Sequence, residues 1–381
     1  MIKQVVPIFA CAVMLFATGC ASTTPVRVWQ DLATVKMSIE QGRDVNNSDI
    51  NGDTPLFWAS IHGSQELVEL LLKKGASINV RNKEGNTPLI AAAYMGHLNV
   101  LNVLAKNGAD INGTNLNGTT ALMAAAEMGN FDIVKSLAAC GASLEARDKS
   151  GCTALHKASP FFIVISDGSE CLGIKKAQVK EPTKEIYENI WNGRDKVAQF
   201  LIEAGVDVNA RDRKGNTPLM RCHENILKLL LNHNADVNAV NQNGSTALIL
   251  AAFWGWGSLP STRLLIEKGA NVNAIDNDGD TPLLVAAGMF AAAMKEQSAV
   301  VKLLVENGAN VNAVNKKGET PLSRIVRVRV NGTPQYDVIE FLVDKGANVN
   351  KSDSNGHTPL EQATASGDDR LIKLLKAHGA K

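Results

Sequence analysis

Apolar residues recur along this chain in paired short blocks, separated by Gly and by Asn/Asp-rich segments. The first block of each pair opens Thr-Pro-Leu or Thr-Ala-Leu and continues with small or apolar residues. It reads TPLFWASIHG from Thr54, TPLIAAAYMG from Thr87, TALMAAAEMG from Thr120 and TALHKAS from Thr153. It returns as TPLMRCH from Thr217, TALILAAFWG from Thr246, TPLLVAAG from Thr281, TPLSRIV from Thr320 and TPLEQATASG from Thr358. The second block has apolar positions three and four apart, as in ELVELLLKKGASINV from Glu66 and VVKLLVENGANVNAV from Val300. Both blocks predict helices of 8 to 11 residues, estimated roughly from the apolar spacing. Thr suits the N-cap and Pro the first helical position. Gly63, Gly96 and Gly129 predict the reversal between the two helices, and Gly-Ala closes the second. Segments such as NKEGN and DNDGD (Asp276 to Asp280) then predict exposed turns.

Helices this short do not hold alone in water, so they must stack on their neighbours. The first three Thr-to-Thr spacings are all 33 residues, and there are nine copies. That is a one-dimensional repeat array. The motifs Thr-Pro-Leu, Ala-Ala-x-x-Gly, Leu-Leu-Leu and Gly-Ala-x-x-Asn resemble the ankyrin-repeat family across residues 28–381. The resemblance implies an all-α solenoid of stacked helix-turn-helix units with β-turn or hairpin fingers. Units are expected near 28–50, 51–83, 84–116, 117–149, 150–212, 213–241, 242–276, 277–315, 316–353 and 354–381. The first and last read as polar caps.

The rhythm slips in four places. Thr153 to Thr217 spans 64 residues, which places an insert at 160–190 if Trp191 to Gly193 is taken as the interhelical turn. Its apolar start, Phe161 to Ile165, requires burial. The unit at Thr217 is short, with a trimmed interhelical turn. The unit at Thr281 has extra residues (MFAAAMKEQ), read as a longer first helix. The unit at Thr320 is lengthened around the turn signal VNGTP.

Residues 1–19 stand apart. Lys3 precedes an apolar run from Val5 to Ala17, and small residues Ala17 and Gly19 lead into Cys20. The run is too short to span a bilayer and has the shape of a secretory signal peptide. ATGC resembles the bacterial lipoprotein box, which implies cleavage before Cys20, lipid on its thiol and a tether over residues 20–27. Ala21 after the Cys resembles the pattern sent to the outer membrane, facing the periplasm. The alternative is ordinary signal cleavage at the same bond, leaving a soluble periplasmic or secreted chain.

Composition changes this picture little. A formal charge of +1 gives no field toward nucleic acid. There is no phosphate loop, zinc motif or serine elbow. DNDGD lacks the glycine and glutamate positions of a calcium loop. No catalytic residue, cofactor, metal or small-molecule substrate is indicated. Beyond Cys20, residues Cys140, Cys152, Cys171 and Cys222 have open disulfide pairing. His97 and His156 sit at repeat-determined, structural positions. The resemblance implies that the non-Ala residues between Leu and Gly line a concave partner-binding face. Those are Trp58, Ile61, His62, Tyr94, Met95, Met128, Phe253, Trp254, Arg324 and Arg327, joined by Lys157, Arg221 and Met289. The expected function is therefore binding of a protein partner, with membrane attachment through lipidated Cys20. A dedicated inhibitor or immunity protein against a secreted toxin is the alternative, and chemistry in the insert is the remotest reading.

Overall fold

The computed structural model describes residues 32–159, 184–253, 258–288, 294–330 and 333–381. The chain divides into two compact units, Met1–Arg213 and Lys214–Lys381. Cys20, Phe161 to Ile165, Cys171, Trp254 and Met289 lie outside the described residues.

Among the described residues, the regular elements of the first unit are helices, with one isolated β-bridge between Thr114 and Thr120. It runs α1 (Leu32–Glu40), α2 (Pro55–Ile61), α3 (Gln65–Lys73), α4 (Pro88–Met95), α5 (Leu98–Lys106), α6 (Ala121–Glu127), α7 (Phe131–Ala139), α8 (Ala154–Ala158) and α9 (Lys184–Glu203). Each first helix starts as the sequence dictates. The Thr54, Thr87 and Thr120 hydroxyls accept the backbone N–H three residues on, at 3.3, 3.2 and 3.2 Å. Each such cap stabilises by about 1 kcal/mol. At Thr153 the cap is reciprocal, with the Thr153 N–H donating to His156 Nδ1 at 3.2 Å. Leu56, Leu89, Leu122 and Leu155 form one buried column through successive units. Gly96 ends α4 with φ +83°, the left-handed conformation that a Cβ would strain.

Two polar ladders tie the repeats. In the first, the Asn of Gly-Ala-x-x-Asn holds the next Gly-Ala turn. Asn112 Nδ2 donates to the Gly141 carbonyl at 3.3 Å, while its Oδ1 accepts the Ser143 N–H at 2.8 Å. In the second, finger turns join through their backbones: Lys83 N–H to Asn51 O at 2.9 Å and Leu116 N–H to Glu84 O at 2.9 Å.

A third joint lies one residue past the interhelical glycine register, at the starts of α5 and α7 and within α9. His97 Nε2 sits 2.8 Å from the Ile61 carbonyl, at the end of α2. Asn130 Nδ2 donates to Ala93 and Tyr94 carbonyls at 2.8 and 3.1 Å, at the end of α4. Arg194 Nε donates to the Glu127 carbonyl at 2.7 Å, at the end of α6. The residue after the interhelical position thus satisfies orphan carbonyls of the preceding unit.

Arg194 corrects the reading of the insert. Gly193 holds the register of Gly96 and Gly129, but Trp191 to Gly193 form no turn: α9 runs through them without a break. The glycine is required by proximity, because a Cβ there would stand 2.1 Å from the Gly129 carbonyl oxygen.

The second unit begins with a single 3-10 turn, Pro218–Arg221. It continues with α10 (Glu224–Asn232), α11 (Ala247–Phe253), α12 (Ser258–Glu267), α13 (Pro282–Ala287), α14 (Met294–Glu306), α15 (Pro321–Arg327), β1 (Arg329–Val330), β2 (Thr333–Pro334), α16 (Tyr336–Asp344), α17 (Pro359–Ala365) and α18 (Asp369–Ala377). Shortening at Thr217 therefore consumes the first helix as well as the turn. The extra residues after Thr281 do not lengthen the first helix: α13 has six residues and α14 thirteen. Gly288 ends α13 at once, so part of the extra length extends the second helix. In the lengthened unit at Thr320, β1 and β2 pair antiparallel, with Arg329 opposite Pro334. Asn234 has φ +63° at a position that is Gly in the other units, a conformation Asn tolerates better than most residues.

The asparagine ladder recurs here. Asn312 donates to the Gly346 carbonyl at 2.9 Å and accepts from the Asn348 N–H at 2.7 Å. Asn350 joins the Gly379 carbonyl and the Lys381 N–H at 3.0 and 2.9 Å.

Candidate partner-binding surface

The first helices of the first unit align the sequence-selected residues in register. Trp58 is half-buried and stacks on His62, one turn on, with ring centroids 5.0 Å apart and planes 14° apart. His62 Nδ1 lies 2.8 Å from the Trp58 carbonyl, so that nitrogen carries the proton and donates. Trp58 Nε1 is buried without a hydrogen-bond partner. Phe57 and Ile61 of the same helix form a buried apolar cluster with Ala91, and Met95 packs against it. Ile61 is thus 9% exposed, a component of the support rather than of the open surface. Met128 is half-buried at the position equivalent to His62 and Met95.

Further along the same helices the surface becomes polar and buried. Tyr94, Glu127, Lys157, Asp148 and Arg194 gather at the ends of α4, α6 and α8 and against α9. Burial drives the Tyr94 hydroxyl pKa upward, and the Glu127 charge adds to this while Arg194 opposes it. Burial also pushes the Glu127 carboxyl up, against the pull of Lys157 and Arg194 and with the push of Asp148. Arg194 is brought down to about 10 by burial, with Glu127 and Tyr94 acting against that fall. Lys157 pairs with Asp148 at 3.1 Å, both nearly buried. The Arg194 guanidinium lies 5.3 Å from the Trp191 ring.

Sequence reasoning included Tyr94 and Lys157 but missed Glu127, Asp148, Trp191 and Arg194. Glu127 occupies the same repeat position as Tyr94, one unit later, and that signal was available. Arg194 was hidden because the insert disguises its equivalence to His97 and Asn130.

In the second unit, Phe253 is 45% exposed at the end of α11. Arg221 is exposed as the last residue of the 3-10 turn. Arg324 is engaged within the repeats. Its Nη2 meets both Asp280 oxygens at 2.9 Å, Nε meets Glu319 at 2.9 Å, and Nη1 meets the Leu284 carbonyl at 2.9 Å. Gly288 makes room, since a Cβ there would stand 3.2 Å from Arg324 Cδ. Arg327 pairs with the other Glu319 oxygen. Burial would raise the Glu319 carboxyl, but hydrogen bonds from Arg327, Asn315 and Arg324, with the Arg324 charge, bring it down to about 2. These arginines close a joint between successive repeats, and Arg327 remains partly exposed beside it.

Cys140 is exposed while Cys152 and Cys222 are buried, and none of these three is in a disulfide. DNDGD is a turn: Asp276 accepts the Asp278 and Asp280 N–H groups at 2.9 and 2.8 Å. Among the described residues, no group of three or more His, Cys, Asp or Glu is placed to hold a metal ion. Among them too, no helix is long and apolar enough to cross a membrane.

No curated protein matches the chain. A family model of ankyrin repeats in three copies matches residues 26–115, 108–161, 221–290 and 289–381. A single ankyrin-repeat model matches residues 150–213. Helix pairs, capped Thr-Pro-Leu starts and Asn-clasped turns are thus those of a fold that mediates protein–protein interaction, and the chain belongs to the ankyrin-repeat family.

Proposed function

We propose that this chain is a non-catalytic binding protein, exported and held by lipid on Cys20, which faces the periplasm and grips a protein partner along its first helices. The observation that carries the binding reading is the Trp58–His62 stack, with the indole N–H buried and unpartnered. A half-buried aromatic with an unused donor, on a helix whose Phe57 and Ile61 belong to a buried apolar cluster, has the make-up of an interface hot spot. In the first unit Trp58, His62, Tyr94, Met95 and Met128 supply the contact; in the second, Phe253, Trp254 and Arg327 are candidate contacts in their own right.

Affinity capture from periplasmic extract with the mature chain tests this. Trp58→Ala should abolish capture of a partner that the wild-type chain retains and that rebinds when purified. Capture unaffected by Trp58→Ala and Tyr94→Ala together would overturn the assignment of this face. One tight partner would favour an inhibitor or immunity role, several a scaffold. The anchor is tested separately: Cys20→Ser should release the exported chain from the membrane fraction, and an exported variant that stays bound refutes lipid attachment. Stable anchoring requires more than one acyl chain, which a lipoprotein's thiol-linked diacylglyceryl supplies.

A further inference from the structure

Buried polar groups in folded proteins almost always have hydrogen-bond partners, so a cluster that lacks them calls for an explanation. Such a cluster lies in the first unit. Arg194 is 4% exposed, and its Nη1 is buried without a partner, although its Nε is bonded to the Glu127 carbonyl. Glu127 is 9% exposed, and among the described residues nothing hydrogen-bonds its carboxyl group. The same holds for the Tyr94 hydroxyl, which interacts electrostatically with both. The other two charges are settled, since Lys157 pairs with Asp148 at 3.1 Å. The Asp148 carboxylate also receives the Ser150 and Cys152 N–H groups at 2.8 and 2.9 Å.

The unused valences are therefore a guanidinium N–H, a phenol O–H and a carboxyl group. We infer that Tyr94, Glu127 and Arg194 form a subsite for a carboxylate, supplied by an acidic side chain of a protein partner or by a small free acid. A planar carboxylate matches the edge of a guanidinium, and charge-assisted bonds of this kind are the strong ones. The phenol donates to the second oxygen. Burial raises the Glu127 pKa, which favours the neutral acid, and this form offers a third donor where an ionised one would repel the ligand. Trp191, with its ring 5.3 Å from the Arg194 guanidinium, steadies that group from the side.

The source of the carboxylate rests on the partner-binding reading above, while the subsite itself does not. Calorimetric titration of the intact chain tests it, with N-acetylglutamic acid amide, its glutamine counterpart and succinate as probes. Titration to about 50 mM detects binding even weaker than 1 mM. The glutamate probe should bind at least about tenfold more tightly than the glutamine probe. Tyr94→Phe, which removes only the hydroxyl, should weaken it by about three- to tenfold. Arg194→Lys should weaken it further, and a melting curve of each variant separates lost binding from lost fold. If Arg194→Lys does not fold, Tyr94→Phe decides.

Binding of the blocked glutamate identifies a protein side chain as the source, and binding of succinate alone identifies a free acid. Equal binding of the glutamate and glutamine probes, binding unaffected by Tyr94→Phe, or no binding of any acid overturns the inference. If no acid binds while Trp58→Ala still abolishes partner capture, this subsite fails and the partner-binding reading stands. If acids bind and capture is indifferent to Trp58, the reverse holds.

Discussion

Gly193 and Gly129 meet backbone to backbone. A Cβ on Gly193 would stand 2.1 Å from the Gly129 carbonyl oxygen, and one on Gly129 would stand 2.6 Å from the Ile190 oxygen. This contact seats α9 against the repeat before it and carries Arg194 to the Glu127 carbonyl.

Gly193→Ala therefore opposes two effects of known sign. Helix propensity alone favours Ala by about 1 kcal/mol. Overpacking against a rigid carbonyl costs about 1–3 kcal/mol or more. The clash should win, and urea unfolding of the variant should show lower stability. A more stable variant would mean that α9 moves away freely.

Asn112 offers a graded test of the asparagine ladder. Asn112→Ala loses both bonds, to Gly141 and Ser143, and should lower stability by about 1–2 kcal/mol. Asn112→Asp keeps the acceptor for the Ser143 N–H but not the donor to Gly141, so its urea midpoint should fall between the two. Three indistinguishable midpoints would show that water replaces the clasp at no cost.

Asp53 and Glu319 predict opposite pH responses. Burial raises Asp53 to about 6, a rise that the Asn82 hydrogen bond moderates and the charges of Asp49 and Glu84 reinforce. A raised folded pKa means stability is fully present below the unfolded value and lost as pH rises through the folded one. Asp53→Asn, which keeps an acceptor for Asn82, should thus melt higher than wild type at about pH 7.5 and converge with it near pH 4. A variant that melts lower at the higher pH would contradict this.

Glu319 is depressed to about 2. Its contribution is present above the unfolded carboxyl value and disappears as pH falls toward the folded one. Between about pH 5 and 2.5, wild type should lose melting temperature more steeply than Glu319→Gln, which starts lower and changes less. Parallel melting curves would show that the Arg324–Arg327 joint contributes nothing.

The repeat architecture was legible because its determinants are local. Thr-Pro-Leu starts, glycine reversals and three-four apolar spacing each act within one helical turn, and the structure places α2, α4, α6 and α13 accordingly. What escaped depends on contacts distant in sequence. Arg194 and Glu127 are 67 positions apart, and no periodicity joins them. Gly193 has the right register, but whether a glycine turns the chain or admits a neighbour depends on what faces it. Arg324 reads as a surface residue because it is a non-Ala residue after the Leu of its first block, where the resemblance places the concave face. Its destination was set by Asp280 and Glu319, which repeat reasoning treats only as turn residues. The candidate surface was legible as positions, while its division into an aromatic part and a buried polar part was not.

The asparagine clasp has a consequence for how such a chain can change length. Asn112 reaches forward to the turn of the next repeat, and Asn312 does the same in the second unit. Each copy that carries this Asn therefore brings a hook for its successor and an eye for its predecessor, whereas Glu145 at the same position only accepts, from the Asp207 N–H at 2.6 Å. A tandem duplication that begins at any phase of the period regenerates both halves of the joint, with no new residue needed at the seam. Loss of one whole period closes the gap by the same means. Arrays built this way grow and shrink by whole copies.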